Sequence, residues 1–257
     1  MRAPSPIVVS LLEKAASDNG FDLDLPRQDG WLGFASSRAP LRIWMTALGD
    51  ALFLVAVSMT NVAQALSDVG TPITNPLPPG AVSARGVVDV PTLHRVVRRA
   101  FRLSKSLPDE PLKAFEKVTA GMPRTTEIER LVVQRIGQDI FRARLVDYWD
   151  GRCAVTGLAV PELLRASHIK PWADCASDAE RLDVFNGLLL APHIDAAFDR
   201  GYITFADDGV VGVSPALDEE SRRVLALDRP LRTGAFADGH RTYLAWHRER
   251  VFRERIS

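Results

Sequence analysis

The chain has 257 residues, 46% of them hydrophobic, enough material for two ordinary domains. Its 32 basic and 32 acidic side chains cancel, so the total charge does not mark it as a binder of polyanions, and only local charge patterns can argue for one. No run approaches the ~18 consecutive apolar residues of a membrane span, so no membrane partner is expected. The two cysteines, Cys153 and Cys175, are too few for a disulfide framework.

The opening Met1-Arg2-Ala3-Pro4-Ser5-Pro6 leads into a helix-like stretch at 7–16, with Glu13 and Lys14 where a secretory leader would be apolar; a reduced cytoplasm is the expected setting. Strand-like runs follow at 21–25, 31–35, 41–47 and 51–58, divided by Pro26, Gly30, Pro40 and Gly49-Asp50. Residues 60–67 read as a helix. Residues 70–80, with Pro72, Pro76, Pro78 and Pro79, read as a loop.

Helices are predicted at 91–105 and 111–119, before a break at Gly121-Met122-Pro123. In the first of them Arg95, Arg98, Arg99, Arg102 and Lys105 recur at spacings of three and four, which places most of them on one side. Such a stripe is either a solvated face or a row of phosphate contacts. From 125 to 149 the spacing of Ile128, Leu131, Val132, Ile136, Ile140, Phe141, Leu145 and Tyr148 is helical, with Thr126 as cap and Gly137 as a weak point.

Short strands are predicted at 163–169 and 187–191, then a helix opening at Pro192 and ending before Gly201. Residues 240–256 read as an amphipathic helix, with Tyr243, Trp246, Val251 and Phe252 inward and Arg241, Arg248, Arg250, Arg253 and Arg255 outward. The fold class is therefore α+β, with a front domain over 1–122, a rear domain over 123–257, and no internal repeat.

The rear domain holds the informative residues. Cys153-Ala154-Val155-Thr156-Gly157 is followed by Ser167-His168-Ile169-Lys170-Pro171-Trp172, then Asn186-Gly187-Leu188-Leu189-Leu190, then Phe198-Asp199-Arg200-Gly201. These four blocks, from about 152 to 205, resemble the HNH family of metal-dependent endonucleases. The resemblance implies a ββα-metal core with a histidine base on the first strand and a metal ligand on the helix.

Phosphodiester hydrolysis needs a nucleophilic water, a base, and a cation that stabilises charge on the phosphate and the departing oxygen. His168 is the candidate base, since a neutral imidazole can accept a proton near physiological pH. Asp195 is the candidate ligand for Mg²⁺ or Mn²⁺, hard ions often held by one or two carboxylates; the alternative is a solvated helix-face carboxylate. His193 is either a helper ligand or incidental.

Where many HNH proteins place a second ligating aspartate, this chain has Ser167, which can act only weakly or through a water. The resemblance gives Asn186 the task of bracing the loop that holds the histidine. Asp199 and Arg200 are expected to close the helix, with Arg200 also within reach of a phosphate, and Lys170 joins the expected DNA contacts. A closed structural zinc needs four ligands, and neither cysteine belongs to a Cys-x-x-Cys pair, so none is expected.

The leading expectation is a restriction-type endonuclease acting on double-stranded DNA, its front domain selecting a sequence or modified base. Cutting both strands with one site per chain would call for a homodimer. The alternatives are a nuclease effector gated by a small signal or partner, and a DNA-binding protein whose site has decayed at Ser167.

Overall fold

The computed structural model describes residues 4–49, 52–67, 69–74, 76–107, 109–233 and 236–254. The expected start of a strand at Ala51, the divider Asp50 and the terminal Arg255 lie outside them. Two compact units emerge, Met1–Leu107 and Pro108–Ser257. The division falls earlier than the expected 122/123, because the helix at 110–119 packs with the second unit. Among the described residues no helix is long and apolar enough to cross a membrane.

The first unit opens with α1 (Pro6–Asp18), where Ser5 accepts from the Val8 amide and Pro6 occupies the first turn. Strands β1 (Leu23–Gln28), β2 (Trp31–Ala35), β3 (Ile43–Leu48) and β4 (Leu52–Val57), helix α2 (Thr60–Ala65), strands β5 (Thr71–Pro72) and β6 (Ser83–Val87), and helix α3 (Val90–Ser106) complete it. The six strands form one antiparallel sheet in the order β1-β2-β3-β4-β6-β5.

β3 and β4 are buried on both faces, since helices pack on the sheet while Ile73, Leu77 and Ala81 pack against Trp31, Trp44, Leu54, Ala56 and Ala84. Pro26 does not divide a strand as expected. β1 runs through it with a register shift between Leu25 and Gln28, which an edge strand tolerates because it needs no donor there. The stretch holding β6 was not expected as a strand. Its Ser-Ala-Arg-Gly-Val run lacks an apolar alternation, yet pairing with β4 from Phe53↔Val87 to Val57↔Ser83 organises it.

The second unit comprises α4 (Glu110–Thr119), α5 (Glu127–Tyr148), β7 (Arg165–His168), α6 (Asp178–Leu182), β8 (Gly187–Leu190), α7 (Pro192–Asp199), β9 (Ile203–Phe205), β10 (Val211–Val213), α8 (Glu219–Val224) and α9 (Asp238–Arg250). β7 and β8 pair antiparallel from Arg165↔Leu190 to His168↔Gly187, and α7 follows at once, the expected ββα order. The core beneath them gathers Leu164, Ile169, Leu188, Leu190, Ile194, Phe198 and Phe205, with Leu244 from α9.

Thr126 caps α5 as expected, in a reciprocal capping box with Glu129. The helix buries a narrower stripe than its apolar spacing predicts: Val133, Gly137, Phe141 and Leu145 are inside, whereas Ile128 is 74% exposed and Leu131 and Val132 stand in solvent. α9 also differs. It ends at Arg250, its buried face is His240, Leu244 and His247, and Arg248 reaches back to the Phe205 carbonyl at 2.8 Å and to Asp207 instead of standing outside.

His240 is fully buried among Tyr148, Trp149, Phe185 and Phe236, and among the described residues its Nε2 has no hydrogen-bond partner. Burial pushes its pKa down to about 4, and that of His247 likewise to about 4. A depressed folded pKa means that this stability is complete above the unfolded value near 6.5 and is lost as pH falls towards 4. His240→Phe is therefore expected to lose about 2 kcal/mol less than the wild type between pH 7 and pH 5 in urea unfolding, about 1.4 kcal/mol per pH unit below 6.5. Equal losses in both proteins would contradict the assignment.

Candidate active site

A groove of about 570 Å³ runs between α5, β7 and α7. Arg135, Gln138, Asp139, Phe141 and Arg142 of α5 form one wall, Arg165, Ser167 and His168 come from β7, and Asp195 and Asp199 come from α7. The strand period explains the division of labour on β7, because side chains two apart share a face. Arg165 and Ser167 turn towards α7, and His168 towards α5.

The His168 ring stacks on Phe141 with centroids 3.8 Å apart, and Trp172 meets it edge-on. Its Nε2 lies 2.9 Å from the carbonyl oxygen of Arg181. A carbonyl only accepts, so Nε2 carries the hydrogen and Nδ1 keeps its lone pair. Among the described residues Nδ1 has no hydrogen-bond partner. Burial against the aromatic rings holds the pKa below 6.5, partly offset by the bond to Arg181, so the ring is neutral at physiological pH.

Asn186 is fully buried and does not reach the groove. Its side-chain oxygen accepts from the Lys170 amide at 2.8 Å, and its amide group donates to the carbonyls of Lys170 and Glu180, each at 3.1 Å. It thereby ties both ends of the 170–180 loop together. Arg181 knots the same loop, donating to the carbonyls of Trp172 and Cys175 and to Asp178. Gly187 must lack a side chain, because a Cβ there would collide with Phe141 and Leu145.

The second half of the site is acidic. Ser167 is buried, and its hydroxyl donates to Asp199 Oδ1 at 3.1 Å. Burial raises the Asp195 pKa against the pull of Ser167 and of the Arg165 charge, and burial together with the Asp195 charge raises that of Asp199.

Two hard oxygen donors that resist ionisation beside each other fit a divalent cation, which would relieve the repulsion. Among the described residues no group of three or more His, Cys, Asp or Glu side chains is arranged to hold a metal; at the α7 side of the groove the oxygen donors are Asp195, Asp199 and the Ser167 hydroxyl.

The structure thus brings His168, Ser167 and Asp195 together, and adds Asp199. That residue was read only as closing the helix, although its spacing of four from Asp195 puts both on one face of α7. His193 is not brought in. Two positions from Asp195, it points to the far side of α7, where it lines a separate depression with Ala196, Tyr202, Leu217 and Leu225.

Lys170 is half-buried and bound to Glu180 Oε2 at 2.9 Å, so its ammonium serves the loop, not the groove. Arg200 is exposed at the end of α7, its charge acting on Asp199. Arg95, Arg98, Arg99 and Arg102 belong to the first unit. Arg165 and Arg135, both lining the groove, carried no signal that set them apart from other arginines.

Residues 153–206 match the family model described as HNH endonuclease. The rear half of the chain thus carries an HNH endonuclease segment, and nucleases of this kind use divalent metal ions. No curated protein matches the chain.

The buried Asn186 network predicts a structural cost. Asn186→Ala leaves the Lys170 amide without the Asn186 oxygen and takes a donor from the Lys170 and Glu180 carbonyls, and should destabilise the second unit by about 2–4 kcal/mol in urea unfolding. A loss below about 0.5 kcal/mol would show that the loop holds without it.

Proposed function

We propose that the chain is a metal-dependent DNA endonuclease of restriction type, in which His168 is the general base and Asp195 and Asp199 hold the metal. The observation that carries this reading is the pairing, in one groove, of a neutral imidazole whose Nδ1 is left as an acceptor with two carboxylates one helical turn apart on α7.

In this reading Nδ1 of His168 takes the proton from a water attacking the phosphorus in line. The new bond forms between that water oxygen and phosphorus, the bond to the 3′ oxygen breaks, and solvent protonates the leaving oxygen. The products are a 5′ phosphate and a 3′ hydroxyl. A bound Mg²⁺ or Mn²⁺ would stabilise charge on the phosphate and the leaving group. Phe141 and Trp172 keep the base desolvated and neutral, Asn186 and Arg181 hold its loop, and Arg165 and Arg135 offer cations to the DNA backbone along the groove.

Selection of the target by the first unit, and pairing of two chains to cut both strands, belong to the same proposal. The two carboxylates also favour a working site over a decayed one, since Asp199 supplies the second hard ligand that Ser167 does not.

His168→Ala should abolish cleavage of plasmid DNA in Mg²⁺ or Mn²⁺ while leaving DNA binding unchanged, because only proton transfer is removed; cutting at near the wild-type rate would sink the assignment. Asp195→Asn and Asp199→Asn should each raise the metal concentration for half-maximal cleavage, on the order of tenfold or more. If Asp199 only closes the helix, its variant will titrate like the wild type. In the wild type the acid limb of the pH profile should lie below 6.5, as expected for a base whose pKa is depressed by burial.

A further inference from the structure

Among the described residues three arginines line the groove, and two of them are already engaged. Arg142 donates to the carbonyls of Leu164 and Pro161, each at 2.7 Å, and so fixes the backbone where β7 begins. Arg135 pairs at 4.0 Å with Asp139, one turn further along α5. Arg165 is exposed, and among the described residues its guanidinium makes no hydrogen bond and no ion pair.

Its place is set by the strand. Pairing with Leu190 holds the Arg165 backbone in register, and the two-residue period turns its side chain to the face of Ser167, towards Asp195 and Asp199 of α7. Its charge acts on Asp195, although the two form no ion pair. Arg200, whose charge acts on Asp199, does not line the groove. The acidic half of the groove thus faces a single uncommitted guanidinium.

A phosphodiester presents a pair of non-bridging oxygens. In the endonuclease reading an ion on Asp195 and Asp199 takes one of them, and the other needs a donor. A guanidinium matches phosphate geometry with two parallel N–H bonds, which an ammonium cannot supply. Before DNA enters, however, the same positive charge opposes a divalent cation at the carboxylates. A phosphate placed between the two relieves that conflict by bonding to both.

We propose that Arg165 holds the scissile phosphate, and that through it DNA and metal bind this groove cooperatively: the phosphate draws the guanidinium off the acidic pair and leaves both carboxylates to the ion. This rests on the endonuclease reading and deepens it, adding a catalytic residue and a coupling between the two ligands of the site. The coupling is reciprocal, since the factor by which DNA tightens the metal is the factor by which the metal tightens DNA.

The test compares Arg165→Gln and Arg165→Lys with the wild type, each as the full chain. Mn²⁺ binding without DNA is read from the free-ion signal in electron paramagnetic resonance, and cleavage from single-turnover rates on plasmid at saturating Mn²⁺. Arg165→Gln should tighten Mn²⁺ binding on the order of fivefold, the effect of one unit charge across a partly screened distance. It should also slow cleavage on the order of a hundredfold. Loss of a merely structural residue would weaken both. Arg165→Lys should bind Mn²⁺ as the wild type does and still cut about tenfold more slowly, because it keeps the charge and loses the fork. Unchanged or weaker Mn²⁺ binding in Arg165→Gln, or cleavage at the wild-type rate, would overturn the proposal and leave the endonuclease reading standing. A wild type that cuts no plasmid in Mg²⁺ or Mn²⁺ would overturn both.

Discussion

The hydrogen bond from His168 Nε2 to the Arg181 carbonyl is the constraint on which the site depends. It settles the tautomer, and with it the chemistry, because the same ring with its hydrogen on Nδ1 would have no base to offer the groove. Holding one carbonyl in place requires the rest of the 168–186 segment. Arg181 is tied by its own guanidinium to Trp172, Cys175 and Asp178, and Asn186 draws the Lys170 and Glu180 backbones together from below. Phe141 then closes one face of the imidazole, so that α5, distant in sequence, decides how much water the base sees.

The acidic half works by a different principle. Position 167 carries a serine, and α7 presents two aspartates, Asp195 and Asp199, one turn apart on the same face; in the proposed reading the second of them supplies the carboxylate that position 167 lacks. Burial raises both pKa values, and the Asp195 charge adds to the rise at Asp199. Such a pair is poorly placed by itself and well placed with a cation beside it. The first unit is built around the central strands β3 and β4, which are buried on both faces of its sheet.

Much of the second unit was legible in the sequence because its elements are marked by local chemistry. Thr126 and Glu129 announce the start of α5, Pro192 that of α7, and the Ser-His-Ile and Asn-Gly-Leu blocks place the two strands. What could not be read were the features made by distant contacts. Nothing near Ser83 signals a strand, because its order comes from β4. The apolar residues of α5 look equivalent in sequence, yet only the stripe facing β7 and β8 is covered. The two buried histidines of α9 resemble surface residues until their aromatic neighbours are in place. The spacing of four between Asp195 and Asp199 puts both on one face of α7 and is legible in the sequence, whereas the two alternatives open for His193 are separated only by the packing that turns it to the far side of the helix.

The account stands or falls on the state of one imidazole, and nitrogen-15 NMR of selectively labelled histidine reads it directly. In the metal-free protein near pH 7, His168 should show the Nε2–H tautomer and should titrate below 6.5. A ring protonated at Nδ1, or one that titrates at or above 6.5, would contradict the central claim that this fold prepares His168 as a neutral base.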